Sequence, residues 1–314
     1  MYVVFDEEYL VICVFPGTKV LVAGGRDESY KLISTSYILE VFFDDTTSIT
    51  KIEYKDLPNV PHSFSNAAFG NFRGISLIIG GFKSNGQCFE FDQEKFHFIS
   101  SLNVNRGGAA STFIENKVVV AGGRDDYGIS LDTIEILDWD ESNHEPQWIE
   151  APSKLPIKVS DHTMVTFKNK LYLIGGYYQG SGILSGGRSN KNWQGYFDKP
   201  GNEISWVEMG LRLQKKRAGH FSFVISNQII IFGGYNEDDD VVEIIGENEL
   251  KQGPKVPFRL RNDYDQAVLD RNNRIIITSK DHGLIIYDHQ AETFTPYNIF
   301  KLKEYRKEHS TILQ

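Results

Sequence analysis

The nine residues KVLVAGGRD at positions 19–27 return at positions 117–125 as KVVVAGGRD, differing only at Leu21 and Val119. Their common core is an apolar run closed by two glycines. It recurs as LIIGG ending at Gly81, LYLIGG at Gly176 and IIIFGG at Gly234. With Gly25 and Gly123 these make five copies, spaced 56, 42, 53 and 58 residues apart. A sixth stretch, RIIITSK at 274–280, keeps the apolar run and lacks the glycines. No other property constrains the fold as much. A unit of this length cannot bury its apolar faces alone, so stacked copies must bury one another.

The rest of the unit follows from its flanks. A second apolar segment and a tight turn precede the glycines, as in HFSFVISNQIIIFGG, HTMVTFKNKLYLIGG and AASTFIENKVVVAGG. The turn pairs Ser226-Asn227, Lys168-Asn169 and Glu115-Asn116 suit two-residue hairpins. Beyond the glycines comes a polar loop. A third strand then closes on aspartate, in QCFEFD, TIEILD and GLIIYD. A fourth strand carries an aromatic, Phe98 or Phe294, six residues later, with Trp148 and Trp206 in the units with longer inserts. Glycine fits where neighbouring units crowd and the backbone needs positive φ. The aromatics are expected to pack between units.

This combination of double glycine, Tyr/Phe-Asp strand end and trailing aromatic resembles the kelch repeat. The resemblance implies an all-β fold, a β-propeller of about six four-stranded kelch-type blades filling residues 1–314. The expected blades are 1–57, 58–101, 102–150, 151–209, 210–256 and 257–300. Residues 301–314 are expected to close the ring as a tail, in competition with residues 9–15 for the first-strand position of blade 1.

Composition bounds the function. The chain has 314 residues, 40% apolar and 24% charged, with a net charge of −9. An acidic surface argues against a nucleic-acid partner, which needs cations for phosphates, and against anionic membranes. Cys13 and Cys88 are too few for a disulfide framework and read as buried thiols. The N-terminal apolar stretch is broken by Asp6, Glu7 and Glu8 and lacks a basic start, unlike a signal peptide. A cytoplasmic protein is expected.

Kelch-like propellers are mostly protein-recognition modules. The resemblance therefore implies a non-catalytic protein–protein interaction module, the substrate adaptor of a ubiquitin ligase or a cytoskeletal scaffold. Its partner would be a protein or peptide. No enzyme activity, catalytic residue, metal or cofactor is expected. The alternative is a propeller enzyme acting on a small molecule or sugar, mutarotase-like. The expected partner-binding face consists of Arg26, Phe82, Arg124, Tyr177 and Tyr235, each directly after a glycine pair. Arg106 and Arg217 join them, each 16 residues before its unit's first glycine. That offset matches an arginine position that faces ligand in some kelch-like receptors. An acidic motif would suit these arginines; the competing reading pairs them internally with Asp or Glu.

Residues 179–200 form a glycine-rich insert. Its glycines invite a phosphate-loop reading, but the lysine and the strand–helix context are missing. The insert is expected to protrude as a binding loop carrying Arg188, Trp193 and Tyr196, or as a loose insertion. The run Glu237–Asp240 reads as a solvated loop. Asp281-His282 and Asp288-His289 flank one strand and stand too far apart to share a metal.

Overall fold

Each second strand is apolar at consecutive positions, the pattern of a strand covered on both faces. The computed structural model describes residues 7–8, 11–14, 19–27, 29–44, 49–72, 74–139, 146–180, 186–198, 202–235, 240–247, 249–261, 265–279 and 282–297. Those residues form six four-stranded antiparallel sheets arranged as a propeller, with no helix. Blade 1 is Val11–Val14, Lys19–Ala23, Ser36–Phe43 and Ile49–Leu57. Blade 2 is Ala68–Phe72, Ile75–Ile79, Gln87–Phe91 and Phe96–Ser101. Blade 3 is Ala110–Ile114, Lys117–Ala121, Ile134–Asp138 and Trp148–Glu150. Blade 4 is Thr163–Phe167, Lys170–Ile174, Asn192–Phe197 and Ile204–Glu208. Blade 5 is His220–Ile225, Gln228–Gly233, Val241–Ile245 and Leu250–Lys255. Blade 6 is Asp265–Leu269, Arg274–Ser279, Gly283–Asp288 and Thr293–Tyr297.

Within a blade the strands follow chain order. The first hairpins turn where the sequence places them. Lys168 and Asn169 have φ of 50° and 56°, and Ser226 and Asn227 have 50° and 63°, as a primed turn needs.

The apolar core lies between blades. Six buried clusters fill the six blade-to-blade interfaces. Blades 3 and 4, for example, share Val119, Ile136, Leu171, Leu173 and Trp193. At roughly 1.5–3 kcal/mol per buried aliphatic or aromatic side chain, these interfaces dominate stabilisation. The ring closes the same way. Val268, Ile276, Leu284 and Ile286 of blade 6 pack on Val20, Val22, Tyr37 and Leu39 of blade 1. The Arg274 guanidinium sits 3.5 Å from the centre of the Phe43 ring across this seam. Blade 1 uses Val11–Val14 as its own first strand, paired with Lys19–Ala23. The expected tail at 301–314 lies outside the described residues.

The double glycine joins consecutive blades. In five repeats the second glycine's N–H donates to the segment leading into the next blade. The acceptors are the carbonyls of Phe64, Arg106, Val159, Arg217 and Leu260, at 2.7–2.9 Å. Gly123 shows why no other residue serves. Its φ is 88°, and a Cβ there would lie 2.9 Å from the Gly107 carbonyl oxygen. Trp148 packs between blades 2 and 3, as the sequence implies. Phe98 departs from its expected role: it is 56% exposed, touching only the edge of Phe89 within its own blade among the ring contacts described.

Candidate functional site

The residue after each glycine pair is held in a fixed place. The N–H groups of Phe82, Arg124 and Tyr235 each donate 2.8 Å to the lead-in segment of their own blade, at Ser65, Gly107 and Ala218. The glycines turn the chain out of the second strand, and this bond aims the next side chain at the propeller axis. Arg26, Phe82, Arg124, Tyr177 and Tyr235 consequently line one pocket of about 890 Å³. Tyr30, Asn66, Asp161, Tyr178, Arg188 and Lys216 also line it.

The pocket is cationic on an acidic protein. Among the described residues of its lining, Arg26, Arg124, Arg188 and Lys216 face one carboxylate, Asp161. Arg124 pairs with Asp161 and donates to the Ser160 hydroxyl. Arg188 donates to the Tyr235 carbonyl, and Arg26 donates to the Tyr30 carbonyl at 2.7 Å. A guanidinium carries five N–H donors, so the Arg124 and Arg188 groups keep further N–H groups beyond these bonds. Lys216 is exposed and pairs with no acid among the described residues. Aromatic side chains stand beside the cations, with Tyr30 60% and Tyr177 43% exposed.

Arg106 and Arg217 are not on this face. Both side chains are fully buried. Arg106 donates to the Gly122 and Thr133 carbonyls, at 3.0 Å each, and to Glu135 at 2.7 Å. Arg217 donates to the Gly233 carbonyl at 2.7 Å and to Glu243 at 3.0 Å; its Nη1 also lies 2.7 Å from Asp240. The 16-residue offset is therefore the reach of an internal clasp. The arginine satisfies the first glycine's carbonyl and neutralises a glutamate in the third strand of its own blade. Asp240 is part of this clasp, and its N-terminal neighbours 236–239 lie outside the described residues.

The insert also divides. Tyr177–Tyr178 pairs with Gly187–Arg188 and with Val159–Ser160 in a small three-stranded ribbon at the pocket. Arg188 lines the pocket, while residues 181–185 lie outside the described residues. Trp193 and Tyr196 belong instead to the third strand of blade 4. Trp193 is core at 3% exposure. Tyr196 lies by the Lys168-Asn169 turn, at the other end of the blade. The signal for this was present: Tyr196-Phe197-Asp198 repeats the Tyr/Phe-Asp ending of a third strand.

Below the pocket runs an axial channel of about 250 Å³, lined by first-strand and lead-in residues including His162, Thr163, His220, Ser222 and Gln266. Asn66 and Asp161 line both spaces and so mark the throat between them. His162 and His220 are buried, and burial, helped by the charges of Arg106 and Arg217 respectively, lowers both to about 3. They are neutral imidazoles at ordinary pH. Burial pushes the Cys88 thiol up to about 12, which makes it unreactive. Among the described residues no three His, Cys, Asp or Glu side chains gather as a metal site.

A family model described as the Kelch motif matches residues 105–154. That span runs from the Arg106 clasp to the outer strand of blade 3, and the same bonds recur around the ring. The chain carries a kelch motif in that span, and the match supports a kelch-repeat family. Alpha-scruin of Limulus polyphemus is 26% identical over 136 residues, 38% of this chain and 14% of that one. The match thus spans only about a seventh of that relative's length. The structure of YjhT is similar at a TM-score of 0.61, with 16% identity, over 79% of this chain and 84% of its own. That likeness carries the fold. That likeness corrects the expectation that this chain is not an enzyme, because a ring of this fold accommodates catalysis as well as binding and so excludes neither. No described helix is long and apolar enough to cross a membrane.

Proposed function

We propose that this kelch propeller is a recognition module that holds an acidic segment of a protein partner at the mouth of its axial pocket. The observation that carries the reading is the excess of cations there, four against one carboxylate among the described lining residues, on a chain of net charge −9. Guanidinium groups bind carboxylates with paired, charge-assisted hydrogen bonds. Exposed tyrosines beside them supply contact area at low entropic cost. The biological setting we favour is a ubiquitin-ligase adaptor or a cytoskeletal scaffold, the usual employment of the family.

Capture from lysate tests the reading, with Arg188→Glu/Lys216→Glu as the comparison protein. Loss of a partner bearing an acidic segment, at unchanged melting temperature, is the expected result. Retention of the same partners by both proteins would sink it. A second reading, a propeller enzyme acting on a small molecule or sugar, is favoured by the channel and its neutral histidines. It expects turnover of a small substrate that Asp161→Asn abolishes.

A further inference from the structure

Four residues immediately ahead of the first strands share a left-handed backbone: Asn66 (φ 53°), Gly108 (64°), Asp161 (51°) and Gly219 (65°). They are bonded blade to blade around the axis. Gly108 N donates to Asn66 O at 2.9 Å, Asp161 N to Gly108 O at 2.8 Å, and Gly219 N to Asp161 O at 2.7 Å. Glycine meets this backbone requirement without strain, and blades 3 and 5 use it. Blades 2 and 4 keep a side chain where left-handed φ costs roughly 1–2 kcal/mol in general, less for Asn and Asp. Strain of this kind persists where the side chain has a task.

The task is indicated by where the two side chains stand. Asn66 and Asp161 line both the pocket and the channel. The Asn66 amide has no hydrogen-bond partner among the described residues. Asp161 commits Oδ2 to Arg124 and Ser160, and its Oδ1 has no partner there. Beneath them the channel wall presents further unpartnered atoms: both nitrogens of His162, Nδ1 of His220 and Oγ of Ser222, all buried. Buried polar atoms of this kind are normally hydrogen-bonded. The throat and channel therefore offer donors and acceptors, with Asp161 as the one carboxylate among the described lining residues, below a mouth that offers cations.

We propose that Asn66 and Asp161 form a specificity subsite for an uncharged hydrogen-bonding side chain, a hydroxyl or carboxamide, that the partner inserts beside its acidic residue. The proposal rests on the acidic-partner reading above. It divides recognition in two. The arginines and Lys216 set affinity for the anion, and the throat selects the neighbouring residue. An apolar neighbour would leave the throat atoms unpaired, and a second carboxylate would meet Asp161.

The probes are peptides Ac-Glu-X-Glu-NH2 with X as Ser, Thr, Asn, Gln, Ala or Val, titrated into the full chain and followed by NMR. The hydroxyl and carboxamide peptides are expected to bind about fivefold more tightly than the Ala and Val peptides, the worth of one hydrogen bond. In Asn66→Gly/Asp161→Gly the series should level to within about twofold. That variant places in blades 2 and 4 the residue blades 3 and 5 already carry, so the backbone is retained. Equal binding across the series by the wild type, or a preference that survives in the double variant, overturns the subsite while leaving the acidic-partner reading intact. If no peptide binds, or Arg188→Glu/Lys216→Glu leaves binding unchanged, the acidic-partner reading fails and the subsite falls with it.

Discussion

At the scale of the residue, Arg106 and Arg217 are informative because their charge is spent inside the molecule. A buried pair is weak evidence of net stabilisation, but removing one partner is costly, since the other charge stays buried and unpaired. Arg217→Met strands Glu243 and Asp240, and it is expected to cost about 3–5 kcal/mol. Chemical denaturation would show the loss in the unfolding midpoint. A matched Arg217→Met/Glu243→Leu variant should recover part of it. A variant that lost binding at full stability would return the arginine to a ligand role. The same comparison explains why offset alone misleads. The spacing of Arg106 and Arg217 is real, but whether such a position faces solvent depends on Glu135 and Glu243, which the third strand delivers.

At the scale of the element, the turn after each second strand combines two demands. Its glycines bond across to the next blade, and they aim the following side chain at the axis. Gly123→Ala meets both positive φ and the Gly107 carbonyl. It is expected to destabilise by more than the roughly 1 kcal/mol usual for alanine in a left-handed position. It should also weaken binding at the pocket by displacing Arg124. Gly128→Ala is the control. It too has positive φ, but its Cβ would meet nothing within 4 Å, so backbone strain acts there alone. Comparing thermal melts of the two variants separates crowding from strain. The hairpin turns, the second strands and the five residues after the glycines were all legible in the sequence, because each follows from a short local pattern. The third strand of blade 4 was not, since the insert moved Asn192–Phe197 away from its glycines and made a strand look like loop.

At the scale of the whole molecule, six similar interfaces close into a ring with two neutral histidines at its centre. His162 and His220 have folded values of about 3, below the ordinary 6.5. The unfolded chain therefore binds their protons first. Stability is intact above pH 6.5, begins to fall below it, and goes on falling until about pH 3. Between pH 7 and 5 the expected loss is about 2 kcal/mol per histidine. Urea unfolding at those two values checks this. The drop should shrink in His162→Gln/His220→Gln, and an equal drop in that variant would assign it to other groups.

The repeat period, the glycine conformation and the apolar second strands set the number of blades and five of the side chains in the pocket wall. These are local or periodic properties, and each copy of the motif reports them independently. Only the tertiary structure decided that Arg106 and Arg217 are clasps and that Trp193 is core. It alone placed Asn66, Asp161, Arg188 and Lys216 together at one mouth. Those outcomes depend on which atoms different blades bring within a few ångströms of one another. That meeting is a consequence of closing the ring, and no single repeat encodes it.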